Sequence, residues 1–165
     1  MSGPVCSPLT AETGTAGKRA SADGKRIVIG RALVEDLPED DLLAAVLAHE
    51  LAHNLLGHRV RLDAEGRTWG NIRATEREAD RLSVWLLASA GYDPRAAVRF
   101  FERWGPKNDF GIFTTPDHDR WRSRIKQIEA ELVRMEAARR ARGVADWSRD
   151  FVSGGGDALQ AKAGK

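Results

Sequence analysis

The chain has 165 residues, with 26 Lys and Arg against 24 Asp and Glu and a formal net charge of +2. This length suits one domain with a sizeable core. A single cysteine excludes an internal disulfide. The arginine-rich stretch 120–142 is interrupted by Glu129, Glu131 and Glu136, which favours a solvated helix face and argues against a nucleic-acid partner.

Three segments are expected along the chain. Residues 1–23 are rich in small and polar residues without a sustained apolar run, which predicts a flexible leader. Residues 143–165 contain the run Gly154–Gly156 and predict a flexible tail, so residues 24–142 form the folded domain. The start shows no secretion signal, and no apolar stretch is long enough for a transmembrane segment.

The first regular elements of the domain are a strand and a helix. Residues 25–29 contain the β-branched run Ile27–Ile29 and are bounded by Gly24 and Gly30, which predicts a strand. A helix follows, with Pro38 in its first turn and its end near Gly57. Because this helix is apolar nearly all round, we expect it to be buried.

The sequence HELAH at residues 49–53 lies inside that helix. His49 and His53 are four residues apart and so share a face, where two imidazole nitrogens can bind one zinc ion. Glu50 stands beside them, placed to take a proton from the attacking water. The alternative is an accidental His pair on a polar face. Two imidazoles and a carboxylate in a buried helix are costly unless something bonds them, which favours the metal.

A catalytic zinc needs a third protein ligand. His58 is nearest in the chain, but in a continuous helix it is rotated by about 140° from His53. The metzincin pattern requires Gly at position 56 and His at position 59, where this chain has Leu56 and Arg59. Both interpretations are rejected.

A second helix offers a better third ligand. Thr75 and Glu78 fit a capping box, which predicts a helix start here after a polar connection over residues 59–73. Glu76 and Asp80 share a face of that helix. Glu76 could bind the metal while Asp80 accepts the free N–H of a ligand histidine. The alternative is that Glu76 and Glu78 are solvated acids of a first turn.

Two more helices are expected downstream. Asp93 and Pro94 open one that runs to about Trp104. The other carries an apolar stripe that should dock on the domain: Trp121, Ile125, Ile128, Leu132 and Met135. The intervening loop, 105–117, carries aromatic residues that either line a cleft or pack on the core.

The HELAH sequence at 49–53, the EREAD sequence at 76–80 and the segment 90–94 together resemble the M48 family of zinc metallopeptidases. This gluzincin group contains the Ste24, HtpX and BepA proteases, and the resemblance spans roughly residues 25 to 130. It implies an α+β, mainly α-helical, zincin-like fold with an HExxH helix, an ExxxD helix and a small β-sheet. It also implies one zinc ion per chain, held by His49, His53 and Glu76, with Asp80 in support.

The resemblance points to two further residues. His118 lies six residues before Arg124, which is the family spacing for a histidine that approaches the zinc and gates the site, although Asp119 replaces the usual proline. A loop histidine that caps the next helix is the alternative. Arg124 would stabilise the carbonyl oxygen or orient Asp80, unless it is a helix-surface arginine.

The function predicted from these motifs is that of a zinc-dependent endopeptidase, with Glu50 as general base. Its substrate would be an unfolded or extended polypeptide lying along a strand edge. The alternatives are a catalytically silent, zinc-containing binding or chaperone-like module, and a metal-dependent hydrolase of other substrates. The resemblance implies a minimal soluble catalytic domain and suggests the periplasm or cell envelope as its compartment.

Overall fold

Three short strands precede the helices in the part of the chain that the computed structural model describes, which is residues 10–14, 17, 19–107 and 120–153. They are β1 (Thr10–Gly14), β2 (Ala20–Ala22) and β3 (Arg26–Gly30). The sheet order is β1-β3-β2, with β1 parallel and β2 antiparallel to β3. The strand predicted at 25–29 is therefore the central one and is paired on both sides.

Seven helices lie within the described ranges: α1 (Arg31–Asp36), α2 (Asp40–Leu55), α3 (His58–Glu65), α4 (Trp69–Ala90), α5 (Ala96–Trp104), α6 (Arg120–Arg142) and α7 (Trp147–Asp150). A 3₁₀ turn, Gly105–Lys107, follows α5. This confirms the prediction of a mainly helical α+β domain with a small sheet. None of the described helices combines the length and apolarity needed to cross a membrane.

The core forms around α2, the helix that carries residues 49–53. Ile27 and Ile29 alternate along β3, so both side chains point to one face of the sheet, and both are buried. Helix α4 packs against α2 and α6, and α5 packs against the same two helices. The motif helix is thus enclosed by helices and the sheet, as its nearly all-round apolar sequence predicted.

One side chain ties the end of α2 to the β2–β3 hairpin. Asn54 Oδ1 accepts a hydrogen bond from Gly24 N at 2.7 Å, and Asn54 Nδ2 donates to Arg26 O at 3.2 Å. Gly24 has φ +97, a left-handed turn conformation in which glycine is unstrained. Since Asn54 directly follows His53, these two hydrogen bonds set where the last turn of α2 meets the sheet.

Ordered structure extends into both predicted flexible ends. Strands β1 and β2 lie within the predicted leader, 1–23, and α7 lies within the predicted tail, 143–165. Each end is held by contacts with the domain: β1 and β2 pair with β3, and Trp147 and Phe151 pack against the core. Elements of three to five residues carry too little periodicity to be recognised locally. Residues 1–9 and 154–165 lie outside the described ranges.

The predicted start of the second helix at Thr75 is wrong. Helix α4 begins at Trp69, where the Thr68 side chain accepts a hydrogen bond from Asn71 N at 3.2 Å. Thr75 lies inside the helix and donates its hydroxyl to Ile72 O at 2.8 Å. The expected polar connection over 59–73 contains most of α3 and the first turn of α4.

The apolar stripe of α6 docks on the domain as predicted. Ile128, Leu132 and Met135 are buried, and Trp121 and Ile125 are partly buried against the core. Helix α6 packs on α4 and α5 through this face. The same face carries the charged residue Glu131, which is 1% exposed.

Glu131 satisfies its buried charge with three donors. It accepts hydrogen bonds from Arg81 Nε at 2.8 Å, Trp85 Nε1 at 2.8 Å and Arg134 Nη1 at 2.7 Å. Arg81 also donates to Val152 O at 3.0 Å. Arg81 on α4 therefore joins the Glu131 carboxylate of α6 to the segment that follows α7.

Replacement of Glu131 by Ala is expected to lower the free energy of unfolding by about 3–5 kcal/mol, because it leaves the Arg81 charge buried without its partner. Urea denaturation followed by circular dichroism measures the change. Glu129→Ala, on the exposed side of α6, is the matched control and should stay within about 0.5 kcal/mol of the wild type. Equal effects of the two changes would contradict a structural role for Glu131.

Candidate metal centre

Helix α2 presents its two motif histidines on one face. His49 Nε2 and His53 Nε2 lie 3.1 Å apart, as expected for residues separated by one helical turn. Glu50, between them in sequence, is buried with 4% of its surface exposed. The histidine pair and the carboxylate thus lie side by side in the interior, where the cost of burying them demands bonding partners.

Glu76 approaches this pair from helix α4. Its Oε2 lies 3.5 Å from His49 Nε2, and its Oε1 lies 3.4 Å from His53 Nε2. The ligand atoms of His49, His53 and Glu76 form a group that could hold a metal ion. Tetrahedral bonds of about 2.0–2.1 Å place neighbouring ligand atoms about 3.3 Å apart, so the observed spacing fits zinc.

An unsatisfied oxygen supports that fit. Glu76 Oε2 is buried and accepts no hydrogen bond of ordinary geometry, although Arg124 Nη2 and His49 Nε2 lie 3.3 and 3.5 Å away. Leaving a buried carboxylate oxygen without a partner costs of order 1–3 kcal/mol or more. A divalent cation bound between this oxygen and the two imidazole nitrogens would remove that cost.

Asp80 contacts His49 on the side of its ring away from Glu76, and Arg124 in turn contacts Asp80. His49 Nδ1 lies 3.0 Å from Asp80 Oδ1, so it carries the proton and leaves the lone pair on Nε2. Arg124 on α6 donates to both Asp80 oxygens, at 2.5 and 2.7 Å, and its Nη2 lies 3.3 Å from Glu76 Oε2. Of the two roles considered for Arg124, the structure places it at Asp80, and it is buried, not on the helix surface.

The charges of the site shift the pKa values of its acids in opposite directions. Burial raises the pKa of Glu50 to about 7. Burial also acts to raise the pKa of Glu76, but the hydrogen bond from His49 and the charge of Arg124 outweigh it and lower that pKa to about 2. Arg124 and His49 likewise hold the pKa of Asp80 below its usual value, against the effect of burial. Glu76 and Asp80 are therefore anionic, while Glu50 can gain or lose a proton near neutral pH.

The pKa values of the two histidines also shift in opposite directions in the metal-free protein. Burial lowers the pKa of His49, but its hydrogen bonds to Asp80 and Glu76 prevail and raise it to about 10. Burial and the neighbouring positive charge of His49 lower the pKa of His53 to about 3. A proton on His49 therefore competes with a metal ion for this site.

The sequence did not predict the contacts of two further side chains, His58 with His53 and Glu78 with His58. Helix α2 ends at Leu55, and Gly57, with φ +62, turns the chain into α3, so His58 does not continue the helix on which its rotation was estimated. Its Nδ1 lies 2.8 Å from His53 Nδ1, and its Nε2 lies 3.3 Å from Glu78 Oε2. The sequence did contain a signal for this, because Gly57, a residue type that commonly ends helices, directly precedes His58.

His118, the predicted gating residue, lies outside the described ranges, as do Phe110, Ile112 and Phe113 of the predicted loop. The described site therefore consists of residues from α2, α3, α4 and α6. A separate apolar cavity of about 450 Å³ lies along the other side of α2, lined by Leu47, Leu51 and Leu86 among others, and it includes none of the metal-centre side chains.

The sequence pattern of peptidase family M48 matches residues 19–69. The match contains His49, Glu50 and His53 and confirms the resemblance at the level of the family. It ends before Glu76, Asp80 and Arg124, so the roles of these three residues depend on the geometry described above. No curated protein matches the chain.

Proposed function

We propose that this chain, which matches peptidase family M48 over residues 19–69, is a zinc-dependent endopeptidase in which His49, His53 and Glu76 hold the metal. The match supports a zinc metallopeptidase that acts on peptides. The single observation that carries the finer proposal is that the two histidine Nε2 atoms lie 3.1 Å apart and each lies 3.4 to 3.5 Å from a Glu76 oxygen, beside the buried Glu50.

The metal and the protein divide the chemistry. When bound, zinc would lower the pKa of a water molecule and polarise the carbonyl group of the scissile bond. Glu50 then takes the proton of the attacking water as general base and gives it to the leaving amine as general acid. In the metal-free protein, burial raises the pKa of Glu50 to about 7, which is the direction required of a group that must both accept and release a proton.

The remaining residues hold this arrangement in place. Asp80 keeps the His49 ring in the tautomer whose Nε2 can bind a metal, and Arg124 fixes Asp80 with two hydrogen bonds. Because Arg124 is held at Asp80, we assign it a positioning role. Contact with the carbonyl oxygen of a substrate is not part of the proposal.

The substrate is proposed to be an extended polypeptide aligned along β2. The central strand β3 is paired on both sides and cannot accept a peptide, whereas β2 is an edge strand and packs against α2. Main-chain hydrogen bonds to such an edge bind a peptide with little dependence on its sequence. Unfolded proteins of the cell envelope, the compartment that the family resemblance implies, would meet this requirement.

Hydrolysis of unfolded casein tests the function. We expect cleavage by the zinc-loaded protein, loss of cleavage with a chelator, and recovery when one equivalent of zinc is restored. Tight binding of one zinc ion without cleavage of casein or of a peptide library would overturn the proposal and favour the silent binding module.

A further inference from the structure

His58 is a buried histidine that does not face the metal position. It is 1% exposed and lies at the start of α3, directly after the left-handed turn at Gly57. Its ring stands edge-on to that of His53, with centroids 4.8 Å apart and an interplanar angle of 79°. Because its contact with His53 is through Nδ1 of both rings, the His53 Nε2 atom stays directed at His49 and Glu76.

The hydrogen-bond chain decides which nitrogen carries each proton. Arg61 Nη2 lies 2.8 Å from Glu78 Oε2, and the Ser153 hydroxyl donates to Glu78 Oε1, so Glu78 is placed as an acceptor of hydrogen bonds. His58 Nε2 must then donate to Glu78 Oε2, 3.3 Å away. In the neutral His58 ring the lone pair is consequently on Nδ1.

That lone pair determines the state of His53. Two Nδ1 atoms 2.8 Å apart form a hydrogen bond only when one of them carries a proton and the other does not. Since the His58 atom is the acceptor, His53 Nδ1 is the donor. The His53 lone pair is then on Nε2, where a metal ligand needs it.

We infer that His58 and Glu78 are positioning residues that hold His53 as an Nε2 ligand, through the hydrogen-bond chain from His53 to His58 to Glu78. The inference rests on the proposed function, because it takes His53 as a metal ligand. It gives the second histidine a support unlike that of the first: Asp80 accepts directly from His49, whereas the His58 ring stands between His53 and the Glu78 carboxylate.

The chain is anchored outside the metal centre. Arg61 Nη2 lies 2.8 Å from Glu78 Oε2, and the Ser153 hydroxyl donates to Glu78 Oε1. Glu78 is therefore held by α3 on one side and by the segment after α7 on the other. The orientation of a zinc ligand on α2 thus depends on residues from α3, α4 and the end of the described chain.

Zinc affinity tests the inference, independently of activity. His58→Phe keeps the ring shape but cannot accept from His53, and we expect zinc to bind about 10–100-fold more weakly, the range for losing a partner of a ligand. His58→Asn, whose side-chain oxygen can accept near the Nδ1 position, should recover part of the affinity. Competition with a chromogenic chelator measures all three proteins, and Glu65→Gln, an exposed change on α3, should equal the wild type.

The spectrum of cobalt bound in place of zinc separates positioning from ligation. At saturating cobalt, His58→Phe should keep the wild-type band shape, because its three ligands are intact, whereas His53→Phe should change it. Wild-type zinc affinity in His58→Phe, or a ligand-loss spectrum in that variant, would overturn the inference. If His58→Phe does not fold in the presence of chelator, Glu78→Met replaces it, with the same expected fall in affinity.

These outcomes are distinct from failure of the proposed function. A wild-type protein that binds zinc tightly and cleaves no peptide would refute the endopeptidase, while the affinity difference between wild type and His58→Phe would still support the positioning chain. A wild-type protein that cleaves peptides, with His58→Phe equal to it in zinc affinity, would refute the chain alone.

Discussion

Replacement of Glu50 by Gln is expected to lower kcat/KM for a peptide substrate by about 10²–10⁴-fold, the usual contribution of a general acid–base group. Zinc content should stay at one ion per chain. Gln has nearly the shape of Glu but cannot take a proton from water. The buried position of Glu50 next to His49 leaves little room for bulk water to replace it.

The measurement pairs a fluorogenic peptide assay with metal analysis of the same samples. Glu65→Gln makes the same chemical change on the exposed side of α3 and should retain wild-type kcat/KM. Unchanged kcat/KM in Glu50→Gln would show that another group moves the proton. Loss of zinc together with activity would instead assign Glu50 a role in holding the metal.

Replacement of Glu76 by Ala should abolish stoichiometric zinc binding. The change removes the only ligand that α4 contributes to the described cluster, and two histidines on one helix face cannot complete a tetrahedral protein site. The loss of affinity should exceed the roughly 100-fold limit for residues that only support a ligand. Isothermal titration of the metal-free protein with zinc measures it.

Glu78→Ala is the matched control, since Glu78 lies two residues further along the same helix. Its Oε2 lies 3.3 Å from His58 Nε2, so the His58 ring separates Glu78 from His53 and the proposed metal position. We expect it to bind one zinc ion with affinity reduced by about 10–100-fold. Full affinity in Glu76→Ala together with no binding in Glu78→Ala would reverse the assignment of ligand and support.

The long elements could be predicted because their apolar periodicity is sustained. The helix expected from Pro38 to near Gly57 corresponds to α2, and the stripe of α6 is buried as predicted. Short elements could not be predicted in this way. Strand β1 pairs with β3, although β2 lies between them in the sequence, and α3 has only eight residues. For α4, the capping signal at Thr75 competed with the true cap at Thr68.

The candidate site divides along the same line. His49, Glu50 and His53 follow from local spacing, and the resemblance to the M48 family pointed to Glu76 and Asp80 on a second helix. His58 was judged by extrapolating a helix that in fact ends before Gly57. Because Gly57, with φ +62, turns the chain into α3, His58 lies beside His53, although it is not among the possible metal ligands in the described part of the chain.

The two hydrogen bonds of Asn54 connect the tip of the β2–β3 hairpin to the end of α2, the helix that carries His49 and His53. If a peptide pairs with β2 as proposed, this connection would keep its register constant relative to the proposed metal site. The number of residues between the hairpin and the scissile bond would then determine the cleavage site. The side chains that flank the broken bond would matter less than this fixed interval.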